Sequence, residues 1–210
     1  MSPTSSRAVA AAVLATLVAA SLAAAWGETP EDLAERVTGT AHICSSCHGR
    51  EGRSTSPTFP NLAGQQKEYL VNQLKAFRDK SRADPHARTY MFGMAAGLDD
   101  AVIDGLADFY SKQTPASPTT GDAIAIDAGR KIFENGIDAR SVPACSACHG
   151  DQAQGAGAVP RLASQHPAYL VRQLSAFQTQ SRANEIMHDN SKNLTPQEID
   201  QVSAFFASLR

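Results

Sequence analysis

The 210-residue chain predicts an all-α fold made of two tandem copies of one unit. Three observations carry this. No segment alternates apolar and polar residues for long enough to suggest a sheet strand. Apolar residues recur instead at helical spacing, in Leu70, Leu74 and Phe77 and again in Leu170, Leu174 and Phe177. The second half also repeats the first. Pro60-Asn-Leu-Ala-Gly-Gln65 matches Pro160-Arg-Leu-Ala-Ser-Gln165, Tyr69-Leu-Val-Asn-Gln-Leu-Lys-Ala-Phe77 matches Tyr169-Leu-Val-Arg-Gln-Leu-Ser-Ala-Phe177, and Ser81-Arg82-Ala83 matches Ser181-Arg182-Ala183. Two copies of about 85 residues indicate a duplication, since a solenoid would have shorter and more numerous repeats.

The elements follow in order. Residues 1–25 differ from the rest: Arg7 precedes an Ala/Val/Leu run that ends in Ala23-Ala24-Ala25. This reads as a secretory signal peptide with an A-x-A cleavage site. An uncleaved membrane anchor stays open as the alternative, although about 18 Ala-rich residues barely span a bilayer. Residues 26–113 form the first unit, residues 114–121 a Pro/Ser/Thr linker, and residues 122–210 the second unit. The final helix opens at Thr195-Pro196-Gln197-Glu198, a capping box with proline at the first helical position. Its counterpart in the first unit opens at Asp99. The helix before Cys44 lacks the Gly129-x-x-x-Phe133 pattern of the second unit, which leaves its packing the less certain of the two.

All four cysteines lie in two C-x-x-C-H motifs, Cys44-Ser45-Ser46-Cys47-His48 and Cys145-Ser146-Ala147-Cys148-His149. This is the attachment pattern of a c-type haem. Two thiols about one helical turn apart add to the two vinyl groups of one porphyrin, and the adjoining histidine comes under the iron. Cys44, Cys47, Cys145 and Cys148 are thus expected to bind two haem c groups covalently, with His48 and His149 as proximal ligands. In an exported protein two disulfides are the competing reading, but they do not explain a histidine after each second cysteine.

Methionine is the common partner of histidine on the iron of electron-carrying cytochromes c. The second unit offers only Met187, seven residues before Leu194. In the first unit Met91 stands seven before Leu98, whereas Met94 aligns with Asn190. The repeat therefore selects Met91 and Met187 and leaves Met94 as core filler. His42, His86, His166 and His188 have no repeat partners and are expected at the surface or in loops. Pro60 and Pro160 follow the motif histidines by 12 and 11 residues. Each offers either a carbonyl for the imidazole N–H or a plain turn. The polar run after Met187 replaces Ala95 and Ala96 of the first unit, so the second haem is expected to be more exposed or to differ in potential.

A formal charge of −2, from 19 basic and 21 acidic side chains, leaves no basic stripe for nucleic acid. With a methionine for each iron, both sixth positions are expected to be closed. This argues against an enzyme such as a dihaem peroxidase, which needs an openable iron and acid–base groups above it.

With these motifs in place, the chain resembles the class I cytochromes c, and specifically the two-haem cytochrome c4 family, over roughly residues 35–210. The resemblance implies two tandem class I cytochrome c domains packed about a pseudo-twofold axis, with no catalytic residues. It implies a periplasmic electron carrier between a quinol-oxidising complex and a terminal oxidase. The haem subunit of a flavocytochrome-type dehydrogenase is the alternative, and peripheral membrane association through an uncleaved leader stays open.

Overall fold

The computed structural model describes residues 28–210; the leader expected at residues 1–25 lies outside them. Two compact units divide the chain at Glu35/Arg36, and both halves of the duplication lie within the second of these, residues 36–210. Among the described residues there are helices and two isolated β-bridges, Ile137 with Val142 and Ala156 with Val159, but no strands. No helix among them is long and apolar enough to cross a membrane.

In the first half, α1 (Pro30–His48) runs uninterrupted into the C-x-x-C-H motif. Helix α2 (Lys67–Arg78) follows, then a π-helical turn (Ala87–Met91), the short α3 (Phe92–Ala95) and α4 (Asp100–Ser111). In the second half, α5 (Ala123–Asn135) stops at Gly136, where φ is +68°, and a loop intervenes before α6 (Ser146–His149). Helices α7 (Pro167–Gln178), α8 (Glu185–Ser191) and α9 (Pro196–Ser208) complete it.

The ends of the helices are held by the expected chemistry. Asp99 accepts the Val102 N–H at 2.9 Å to start α4. Thr195 and Glu198 form the reciprocal capping box of α9, with Pro196 in its first turn. Such caps each contribute about 1 kcal/mol.

Each half closes its core where its first and last long helices cross. Phe133 on α5, 1% exposed, lies 5.2 Å from Phe205 and edge-on to Phe206 at 5.6 Å, both on α9. Burying one such ring contributes about 2–3 kcal/mol. The approach needs Gly129, because a Cβ there would sit 2.0 Å from the Gln201 carbonyl oxygen. In the first half the glycine is on the partner helix: a Cβ on Gly105 of α4 would sit 2.5 Å from Val37 Cγ2 of α1. The repeat places Gly105 opposite Gln201. The same crossing point is thus relieved from opposite sides, which answers the missing glycine pattern before Cys44.

Candidate haem sites

The two C-x-x-C-H motifs end in buried histidines, His48 at 7% and His149 at 6% exposure. His48 Nδ1 lies 2.9 Å from the Pro60 carbonyl oxygen and His149 Nδ1 lies 3.1 Å from that of Pro160. A carbonyl only accepts, so Nδ1 carries the proton and Nε2 keeps its lone pair for a metal. Burial pulls both imidazoles below the ordinary histidine pKa, against the opposing pull of the proline carbonyls. They stay neutral, the form that ligates. Of the two roles open to the prolines, the carbonyl acceptor is the one occupied.

The backbone that presents these carbonyls is built alike in both halves. The Gly52 carbonyl accepts the N–H groups of Leu62 and Ala63 at 2.8 and 3.1 Å, and the Ala153 carbonyl accepts those of Leu162 and Ala163 at 2.8 and 3.2 Å. Both acceptors have positive φ, +81° at Gly52 and +51° at Ala153. A Cβ at Gly52 would meet the Tyr110 ring at 2.8 Å. The second half accommodates alanine there and has Phe206 where the first has Tyr110.

A cavity of ≈ 630 Å³ with mainly apolar walls is shared by the halves and lined by His48, Met91, His149 and Met187 together. Met94 is not on its wall and is 46% exposed at the surface, not in a core. The backbone routes to the two methionines differ. Asn184 caps α8 and accepts the Met187 N–H at 2.9 Å, three residues on. Asp84, its match, stands seven residues before Met91, and the π-helical turn takes up the extra residues. Such turns recur at functional sites. Downstream, the Leu98 carbonyl accepts Arg78 Nη1–H at 3.0 Å and the matched Leu194 carbonyl accepts Gln178 Nε2–H at 2.8 Å. The M-x6-L spacing is therefore a held segment in both halves.

No disulfide joins any two of the four cysteines. Cys44 and Cys145 are half-buried, with burial pushing the Cys145 thiol up to about 11; Cys47 and Cys148 are exposed. Of the unmatched histidines, His42 is exposed, but three are half-buried. His166 Nε2–H donates to the Ser54 carbonyl at 3.0 Å, His188 Nδ1–H to the Phe177 carbonyl at 3.0 Å, and His86 packs on Tyr90 at 5.9 Å. The expectation of a surface or loop place thus holds for His42, which is exposed, and for His166, which lies in the loop before α7, whereas His86 and His188 are half-buried in helical segments.

The halves meet through reciprocal bonds of the P-x-L-A-x-Q segments. Gln65 accepts the Arg161 N–H at 2.7 Å and donates to its carbonyl at 2.9 Å; Gln165 does the same for Asn61 at 2.8 and 2.9 Å. The matched arginines cross over as well. Arg82 donates to Gln173 at 2.7 Å and Arg182 to Gln73 at 2.9 Å and to the Tyr69 hydroxyl at 2.9 Å. Each guanidinium also lies over the phenylalanine of its own half, at 4.7 Å from Phe77 and 4.5 Å from Phe177. This reciprocity is the mark of a twofold interface. In the sequence these glutamines and arginines stand out only as repeat matches. Their signal is that the same polar residues recur at matched positions, Gln73 and Gln173 within the helices and Gln65, Gln165, Arg82 and Arg182 in the segments that flank them.

The residues present fit two haem c groups. Each copy supplies a neutral imidazole with Nε2 available and a thioether on one largely apolar wall, and a cysteine pair next to the imidazole in sequence; of the four cysteines Cys44 lines the wall. The cavity also buries two arginine Nε atoms, of Arg161 and Arg172, that have no protein partner. No cluster of three or more acidic, His or Cys side chains among the described residues offers a separate metal site.

The comparisons agree. The cytochrome c family model matches twice, at residues 38–113 and 126–210. Cytochrome c-552 of Acidithiobacillus ferridurans is 40% identical over 195 residues, 92% of this chain and 84% of that protein. A thiosulfate dehydrogenase electron acceptor of Thiomonas intermedia is 32% identical over 194 residues, 88% of this chain and 83% of that protein. The solved cytochrome c4 of Acidithiobacillus ferrooxidans superposes with a TM-score of 0.77 at 40% identity, covering 80% of this chain and 99% of that one. Two helical haem domains in tandem, two C-x-x-C-H motifs and these likenesses place the chain in the cytochrome c4 family, as a duplicated class I cytochrome c with two covalently bound haem c groups.

Proposed function

We propose that this dihaem electron carrier is exported to the periplasm, where it passes single electrons from a quinol-oxidising complex towards a terminal oxidase. Its domains span residues 26–113 and 122–210, joined by the linker 114–121. Cys44 and Cys47 hold one haem and Cys145 and Cys148 the other, with His48/Met91 and His149/Met187 as the axial pairs. The observation that carries the reading is the single cavity lined by both histidine–methionine pairs, each histidine donating Nδ1–H to a proline carbonyl.

The bound haems supply reversible one-electron chemistry at iron. The chain's own residues set the conditions. The proline carbonyls fix the imidazole tautomer and raise its basicity. The thioether of methionine favours the ferrous state. The mainly apolar walls limit the access of water. A methionine for each iron leaves no position for peroxide, which disfavours the peroxidase reading.

A second reading makes the same haem chemistry serve one dedicated dehydrogenase. The likeness to a thiosulfate dehydrogenase electron acceptor favours it over a flavocytochrome partner. Spectroelectrochemical titration of the mature protein tests both readings' common ground: two low-spin c-type haems per chain are expected. A high-spin haem with peroxidase turnover would overturn it. Stoichiometric co-purification with a dehydrogenase would select the dedicated subunit over the free carrier.

A further inference from the structure

The charge on the cavity wall is unequal between the halves. Arg161 and Arg172 come from the second half, where the first has Asn61 and Asn72. Each buries an Nε–H with no partner, which is costly for a buried donor if left so. Burial alone pulls Arg161 below the ordinary arginine pKa, a sign that no anion of the protein compensates it. Arg82 and Arg182 bring the wall to four guanidiniums. Its one ion pair among the described residues joins Arg82 to the sole carboxylate on it, Asp84, at 3.0 Å.

A wall of this kind calls for anions that the chain does not provide. Haem c brings them, since each porphyrin carries two propionates on the edge opposite its vinyls. The vinyl edge is fixed by cysteines of which Cys47 and Cys148 are exposed, which turns the opposite edge away from that surface. We propose that Arg161 and Arg172 are propionate-binding residues supplied by the second half alone. At Arg161 the guanidinium offers Nε–H and a neighbouring Nη–H side by side, the geometry that a carboxylate takes up best; at Arg172, whose Nη2 is engaged, Nε–H is the donor offered. Arg172 already reaches the first half, donating Nη2–H to the carbonyls of Pro57 and Thr58 at 2.9 and 2.8 Å. Those residues precede Pro60, whose carbonyl holds His48. The second half therefore adds positive charge beside the first haem as well as its own.

The test is a spectroelectrochemical titration and resonance Raman spectrum of the holoprotein carrying Arg161→Gln, Arg161→Lys or Arg172→Gln. Removing a cation beside a propionate favours ferric iron. Each glutamine variant is expected to lower the reduced-to-oxidised ratio of at least one haem about tenfold at a fixed potential, which is 59 mV for a one-electron couple. The propionate bending band should shift with it, and Arg161→Lys should retain most of both signals. Unchanged potentials and bands in the glutamine variants would overturn the proposal, as would an equal loss in Arg161→Lys, since charge would then not be the cause. Should Arg172→Gln fail to accumulate, the Arg161 pair decides alone. Pyridine haemochrome counts accompany every sample: fewer than two haems in the unmodified chain would sink the two-haem reading itself, whereas two haems with unmoved potentials sink only the arginine assignment.

Discussion

The first and second halves solve the same packing problems with different residues. At the helix crossing the first half puts glycine on its last helix, at Gly105, and the second on its first, at Gly129. The steric consequences differ. Gly105 faces the tip of a valine side chain, which can shift, whereas Gly129 faces a backbone carbonyl, which cannot. At the methionine the first half inserts a π-helical turn where the second uses a capped α-helix. At the shared cavity the first half contributes a carboxylate, Asp84, and the second contributes three of the four arginines. Duplication preserved the haem-binding frame, while the supporting contacts diverged wherever two residues could fulfil one steric or hydrogen-bonding role.

Substitutions can break that comparison. The largest effect is expected at Gly129→Ala, where the clash with Gln201 must displace the helix; on the order of 4 kcal/mol or more should be lost in denaturant unfolding. Gly105→Ala should cost only about 1–2 kcal/mol, and adding Val37→Ala should recover part of it as a coupling in the double-mutant cycle. Equal costs at the two glycines would mean that the crossings are not inverted copies.

Asp84→Asn converts the first half to the pattern of the second, with Asn184 as its match. It leaves Arg82 buried without its carboxylate and should cost about 3 kcal/mol near neutral pH. The pH dependence has a definite sign. Burial, the largest single influence, would raise the Asp84 pKa, but the Arg82 guanidinium, together with Arg182 and the Ala87 N–H, holds it below the ordinary value. A depressed folded-state pKa gives stability that is complete above the unfolded value of 3.8 and is lost as pH falls through the folded value. The native protein should therefore lose stability steeply below about pH 4, and Asp84→Asn should show a shallower acid limb in equilibrium unfolding.

Gln178→Leu removes both N–H groups that hold the carbonyls of Ser191 and Leu194. It should cost about 2 kcal/mol and raise the high-spin fraction of the second haem in the ferric spectrum while leaving the first unchanged. A matching change at the first haem would argue that the methionine segments are not held independently. The smallest effect is expected at Thr195→Ala, which loses the capping box of α9 for about 1 kcal/mol without altering either haem spectrum.

Much of this was legible in the sequence because it rests on local rules. Thr195-Pro196-Gln197-Glu198 announces a helix start by side-chain chemistry alone, and the duplicated motifs mark two haem-binding frames. The repeat singled out Met91 over Met94, and the structure places Met91 on the cavity wall with His48 while Met94 is out at the surface. What stayed hidden depends on contacts between distant segments. Gly105 carries no signal until Val37 is seen against it, and the crossed bonds of Arg82, Arg182, Gln73 and Gln173 need both halves in place. His166 and His188 lack repeat partners, so nothing in the chain marks them as half-buried donors to the Ser54 and Phe177 carbonyls. The π-helical turn before Met91 shows in the sequence only as a change of repeat offset from 100 to 96.

The central claim is that both irons are closed by histidine and methionine, with Met91 and Met187 as the sulfur donors. Proton NMR of the ferrous protein reads this directly, because a methionine methyl held against a porphyrin face is shifted far upfield by the ring current. Two such methyl resonances are predicted; Met91→Ala should remove one, Met187→Ala the other, and Met94→Ala neither. A single upfield methyl in the native protein, or loss of one in Met94→Ala, would contradict the account.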